Sequence, residues 1–289
     1  MKLLSLLSTG AVLALAALFV AAPSTLAATS VPEATSENWA GYVAGDASAG
    51  SFSRVSGSWV QPSADPNAGD GYSAFWVGLG GAGQSQSLEQ IGTQADVSGG
   101  QTIYYAWYEL VPSAPVTLAL AINPGDHISA SVSVSGTNVT VSLSDQTTGS
   151  SFTHTLQMSN PDTSSAEWIA EAPSAEDGNG NMRPVPLADF GSVNFTAASA
   201  TAGGHAGAIF DPGWNVQAVQ LNGTNGGAQP GALSSDGTSF SVSWQGAADG
   251  AAYGGGAGYG YGYGYGGYGY GGYSPPPDGY GPPGYGYGY

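Results

Sequence analysis

Ile128-Ser129-Ala130-Ser131-Val132-Ser133-Val134-Ser135, then Gly136-Thr137-Asn138, then Val139-Thr140-Val141-Ser142-Leu143-Ser144, is the stretch that decides the fold. Apolar residues alternate with hydroxyl residues at a period of two, which puts one set on each face of an extended strand. The glycine-led break between the runs reads as a hairpin turn. The stretch predicts two antiparallel strands with one face on a core. Phe240, Val242 and Trp244 repeat the pattern after Asp236-Gly237, a dipeptide suited to a tight hairpin, and Val193/Phe195 and Trp214/Val216/Ala218 add shorter alternations. Helical spacing of apolar residues at i, i+3 and i+4 is missing outside the N-terminal segment, so the expected class is all-β, an antiparallel sandwich or barrel.

Composition narrows the function. The 289 residues carry three Lys+Arg, twenty Asp+Glu, three His and no Cys, a formal net charge of -17. Lys2, Arg54 and Arg183 are the only strong cations. No basic stripe exists to neutralise phosphates, which excludes a nucleic-acid partner. Without Cys there is no disulfide, no Cys-ligated metal and no thiol nucleophile. Charged residues are 8% and hydrophobic residues 42%, the reverse of a disordered profile. Few cations also means little self-repulsion once the carboxylates protonate, which suits work in acid; an acidic surface kept for solubility fits the composition equally.

Three regions follow. Residues 1–28 read as a secretory signal, with Lys2 in the n-region, Val12 to Ala22 as the apolar run and Thr25-Leu26-Ala27 as the cleavage pattern. Residues 29–36 form a short N-terminal segment or propeptide, and residues 37–248 the folded domain. Residues 249–289 read as a flexible Gly/Tyr/Pro-rich tail holding 12 of the 17 tyrosines and no core-forming aliphatics. The tail is a candidate for contact with a surface or a polysaccharide.

The common catalytic signatures, Gly-x-Ser-x-Gly, His-Glu-x-x-His and the phosphate loop among them, are absent. What stands out is acid embedded in aromatic strands. In Tyr104-Tyr105-Ala106-Trp107-Tyr108-Glu109-Leu110, alternation joins Tyr105, Trp107 and Glu109 on one face. In Ala166-Glu167-Trp168-Ile169-Ala170-Glu171 it joins Glu167, Ile169 and Glu171, opposite Trp168. Aromatic area with a few carboxyls fits a substrate groove; the acids also fit as edge-strand residues that discourage aggregation.

Asn38-Trp39-Ala40-Gly41-Tyr42, Trp76-Val77-Gly78-Leu79, Leu88-Glu89-Gln90-Ile91-Gly92, Ala106-Trp107-Tyr108-Glu109-Leu110, Gly125-Asp126, Ala166 to Glu171, and Leu187 to Phe195 occur in the order seen in the glutamic peptidases, or eqolisins. The chain resembles that family from about Glu37 to Trp244. The resemblance implies a two-sheet antiparallel β-sandwich, concanavalin-like, and acid endopeptidase activity through a glutamine–glutamate dyad. By motif, the dyad matches Gln90 and Glu171. Trp76 matches the tryptophan of the cleft wall and Glu109 a supporting carboxylate, with Trp39 and Trp107 as further substrate-binding or supporting residues. The better-known fungal members have an acid where Gly80 stands, another where Gln94 stands, and paired cysteines that this chain lacks. Asp96 is a candidate replacement for one lost acid.

Peptide hydrolysis needs a base for water, donors for the oxyanion and an acid for the leaving amine. Glu171 as base and then acid, with Gln90 as donor, supplies all three. The expectation is a secreted, extracellular, monomeric enzyme acting on polypeptides, with no cofactor, no metal, and no membrane partner after signal removal. A secreted carbohydrate-binding sandwich without catalysis is the alternative, supported by the aromatic strands and the tail.

Overall fold

The computed structural model describes residues 31–246, apart from 49, 84, 178, 180, 224 and 225. The expected signal and the expected tail lie outside the described residues. In chain order the strands are β1 (Glu33–Ser36), β2 (Trp39–Gly45), β3 (Phe52–Val60), β4 (Gly71–Gly80), β5 (Leu88–Ser98), β6 (Gln101–Val111), β7 (Val116–Thr117), β8 (His127–Ser135) and β9 (Asn138–Asp145). They continue with β10 (Ser150–Gln157), β11 (Ser165–Glu171), β12 (Ser174–Glu176), β13 (Met182–Pro184), β14 (Ser192–Ala202), β15 (His205–Gly207), β16 (Asn215–Gly223), β17 (Gly226–Pro230) and β18 (Phe240–Gly246). Among the described residues there is no helix.

The deciding stretch forms the β8–β9 hairpin. Ser135 pairs with Asn138, so Gly136-Thr137 is the loop, and Gly136 takes a φ of 61° that suits glycine. Val132, Val141 and Leu143 point inward and are fully buried. The serines and threonines face out and bond to one another across strands, Ser58 to Ser129 at 3.2 Å and Ser142 to Thr153 at 2.8 Å. Asp236-Gly237 also turns the chain, but within the longer 231–239 connection between β17 and β18. There Asp236 Oδ1 accepts from Ser234 Oγ and Thr238 N, so a side-chain-capped turn replaces a two-residue hairpin loop.

One hydrogen-bonded path runs β10-β9-β8-β3-β14-β18-β17-β16-β2-β11-β4-β5-β6-β7, with β15 added to β14 and β1 to β16. The path folds over on itself at β17, which pairs with β16 on one side and β18 on the other. A back layer from β10 to β18 therefore packs against a front layer from β16 to β7, the two-layer sandwich that the family resemblance implies and one of the two forms the alternation allows. β4 lies on β3 and β8, and β5 on β8 and β9, although none of these are hydrogen-bonded neighbours. Trp59, Phe75, Trp168 and Phe195 fill the space between layers, each contributing about 1.5–3 kcal/mol by burial. Two buried indoles also bond across it: Trp59 Nε1 donates to Thr93 Oγ1 at 2.9 Å and Trp168 Nε1 to Ser56 O at 2.8 Å. Residues 33–36 extend the front layer, β1 pairing parallel to β16.

Candidate active site

Strand parity sends a second set of side chains to the other face of the front layer. Trp39, Ala74, Trp76, Leu88, Trp107, Val111 and Ile169 form a hydrophobic cluster there, separate from the main core. Strand register arranges this face in rows. The first crosses Val43, Glu167, Gly78, Gln90 and Glu109; the second Gly41, Ile169, Trp76, Gly92 and Trp107; the third Trp39, Glu171, Ala74, Gln94 and Tyr105. All six residues singled out from the sequence, Trp39, Trp76, Gln90, Trp107, Glu109 and Glu171, stand on this one face.

The middle row shows why the glycines of the motifs are needed. A Cβ on Gly92 would stand 2.2 Å from Phe75 O and 2.6 Å from Trp76 Cβ, and one on Gly78 2.9 Å from the Trp76 ring. Glycine at these two positions, one across the strand pair and one two residues along β4, lets the Trp76 indole lie down on the sheet. Trp39 meets it edge-on, centroids 5.1 Å apart. From that position Trp76 Nε1 donates to Glu171 Oε2 at 2.7 Å.

Glu171 Oε1 accepts from Asn38 Nδ2 at 3.1 Å. Ser36 Oγ donates to Asn38 Oδ1 at 3.1 Å, which leaves the Asn38 amide nitrogen facing the carboxylate. Asn38 joins the candidate site through this bond, a role its place in the first motif does not by itself reveal. Its signal was its place beside Trp39, ahead of a strand that pairs directly with the one ending at Glu171.

Across the face, Gln90 Nε2 donates to Glu109 Oε2 at 2.7 Å. Gln90 Oε1 and Glu109 Oε1 are buried and have no hydrogen-bond partner among the described residues. Burial, and then the nearby Glu171 charge, push the Glu109 carboxyl well above the usual range, against the lowering effect of the Gln90 bond. Glu167 is fully buried and raised well above its ordinary value by burial. Glu171 keeps 5% exposure. The edge-strand explanation of these acids fails, because β11 is paired on both sides and buried along its whole length, and Glu109 on β6 is itself buried.

Both departures from the fungal pattern have a structural counterpart. Gly80 has a φ of 82°, and a Cβ there would lie 2.5 Å from Asp162 Cβ, so a carboxylate from the loop before β11 occupies that space. Asp162 Oδ2 accepts from Gly81 N at 3.3 Å, and Asp162 N donates to Glu89 Oε1 at 3.1 Å. Gln94 Nε2 donates to Asp96 Oδ2 at 3.2 Å, so an acid stands next to the second lost position. Burial raises Asp96 and Glu89 each to about 8.

A cavity of about 220 Å³ is lined by Glu37, Ala172, Arg183, Pro184, Val185 and Asn222 among others. Arg183 Nε is bonded to Asp177 at 3.1 Å. No group of three or more His, Cys, Asp or Glu suited to a metal ion occurs among the described residues.

The fold is a two-layer β-sandwich with a glutamine, glutamates and three tryptophans on one face. The chain belongs to the Peptidase A4 family, whose model matches residues 37–244. It is thus a glutamic endopeptidase acting on polypeptides, and a binding module without catalysis is set aside. It is 33% identical to aspergillopepsin-2 of Aspergillus niger over 197 residues, 60% of this chain and 67% of that protein. Scytalido-glutamic peptidase, solved with a transition state analog inhibitor, superposes with a TM-score of 0.61 at 26% identity, covering 72% of this chain and 98% of that one. SCP-B, an eqolisin solved with the tripeptide Ala-Ile-His, gives 0.59 at 27% identity, with the same coverage.

Proposed function

We propose that this peptidase cleaves its substrates with Glu171 as general base and then acid, and Gln90 as oxyanion donor. Glu171 takes a proton from a water whose oxygen attacks the scissile carbonyl carbon. The oxyanion accepts from the Gln90 amide. As the C–N bond breaks, Glu171 returns the proton to the departing nitrogen. Atoms balance without any further reactant, and Gln90 keeps its donors at every pH.

The observation that carries this reading is the pair of donors on Glu171. Trp76 and Asn38 both point N–H groups at it, and such bonds favour the ionised form that a base requires. Glu167, the other acid of its strand, is fully buried beside Gly78, and no N–H among the described residues bonds to either of its oxygens. Trp39, Trp76 and Trp107 supply the apolar walls that hold substrate.

We further propose secretion, through residues 1–28, and work in acid, with residues 249–289 outside the catalytic domain. The test is casein cleavage between about pH 2 and about pH 7 by wild type, Gln90→Ala and Glu171→Ala, beside a chain ending at residue 248. Loss of activity in both folded variants, and its retention in the shortened chain, is expected. Undiminished cleavage by either variant sinks the dyad.

A further inference from the structure

Glu109 and Glu171 are two buried carboxyls on one face, close enough for the charge of one to raise the other. Among the described residues no Lys or Arg is bonded to either of them. Of the chain's strong cations, Arg54 is exposed on β3, Arg183 is bonded to Asp177, and Lys2 lies in the expected signal. Two such carboxyls do not both ionise in a low-dielectric site, so one holds a proton. Glu171, with a donor on each oxygen, is the better carboxylate. Glu109 has one donor and one bare buried oxygen.

A protonated Glu109 needs an acceptor for its O–H, and Gln90 Oε1 is a buried acceptor with no partner among the described residues. Turning the Gln90 amide by half a revolution exchanges its oxygen and nitrogen within the same 2.7 Å contact. We propose that Glu109 is a positioning residue: as the acid it donates to Gln90 Oε1 and turns the Gln90 NH2 toward the substrate carbonyl. This rests on the dyad reading above and adds the switch that orients its donor. Of the polar groups on this face, Gln90 from β5 bonds to Glu109, Glu171 from β11 acts on it through its charge, and Glu167 from β11, itself held protonated by burial, stands in the same row beyond Gly78 and Gln90. Trp76 from β4 and Val116 and Thr117 from β7 do not titrate. Ionisation of Glu109 turns the amide back, because a carboxylate only accepts.

The experiment is kcat/KM against pH for wild type, Glu109→Gln and Glu109→Leu, in short assays with tryptophan fluorescence recording the fold. Glutamine has a donor and does not ionise. Glu109→Gln is expected to keep at least about a tenth of wild-type activity near pH 4 and to hold it about one pH unit or more further toward neutral. Glu109→Leu is expected to fall about a hundredfold at every pH, as for loss of an oxyanion donor. An unmoved alkaline limb in folded Glu109→Gln, or equal activity of the Leu and Gln variants, overturns the proposal. Should Glu109→Gln fail to fold, the wild-type side-chain amide resonance of Gln90, assigned by its loss in Gln90→Ala, carries the test. It is expected to move with pH alongside the activity; a stationary resonance overturns the proposal. Gln90→Ala and Glu171→Ala run in parallel separate the two readings. If either is active the dyad fails, and if both are inactive while the Glu109 results go the wrong way, only the role of Glu109 fails.

Discussion

Trp76 Nε1 donates to Glu171 Oε2 at 2.7 Å, across a row in which the indole is flanked by Gly92 on one side and Ile169 on the other. An apolar wall and a hydrogen bond to the base come from one side chain. Trp76→Phe keeps most of the ring and removes the donor. A bond to a charged group contributes about 1.5–3 kcal/mol, so kcat/KM is expected to fall about tenfold to a hundredfold. The acid limb of the pH profile should move to higher pH, since the ionised base has lost a donor. A variant with wild-type rate and profile would show the bond to be incidental.

Asn38 offers a finer adjustment of the same carboxylate. Asn38→Ala removes one donor at 3.1 Å and should lower kcat/KM about tenfold. Asn38→Asp sets a second carboxyl against Glu171 and should lose more, with partial recovery toward lower pH as one of the pair protonates. Steady-state rates at several pH values decide it, and an aspartate variant as active as the alanine one would count against this placement.

Stability should depend on pH with a definite sign. Glu89 and Asp96 have folded values of about 8 against ordinary values of 4.5 and 3.8. The unfolded chain releases these protons first, so stability is fully present below the ordinary values and is lost as pH rises toward the folded ones. Across that window each group lowers stability by up to about 1.4 kcal/mol per pH unit. Urea midpoints should fall from about pH 4 to about pH 7, and less steeply in Glu89→Gln and Asp96→Asn. Midpoints that rise or stay level over that range would contradict the assignment.

Gly92→Ala should fail in the fold before it fails in chemistry. Its Cβ meets backbone Phe75 O at 2.2 Å and Trp76 Cβ at 2.6 Å, neither of which is the end of a flexible side chain. A loss of about 2–4 kcal/mol is expected by denaturant titration, with displacement of Trp76. A shift within about 0.5 kcal/mol would mean that the sheet yields more easily than its packing suggests.

Much of this was legible in the sequence because strands alternate. The serine and valine run of β8 and β9 determined its own register, and Tyr105, Trp107 and Glu109 shared a face as counted. Other features depend on contacts between segments distant in sequence. Nothing in Gly80 or Asp162 alone shows that one fills the space of the other, since they meet only after β11 docks on β4. Asn38 and Glu171 are 133 positions apart, and their bond follows from the pairing of β2 with β11. The continuity of the two layers through β17 was equally hidden, because Gly226 to Pro230 has no alternation to read.

In the proposed mechanism Glu171 moves the proton. Glu171→Gln preserves size and one of the two accepted hydrogen bonds while removing the base, and kcat/KM on a short peptide near pH 4 measures the effect directly. A fall of about a thousandfold or more with an unchanged circular dichroism spectrum is expected. A folded Glu171→Gln enzyme within about tenfold of wild type would contradict it.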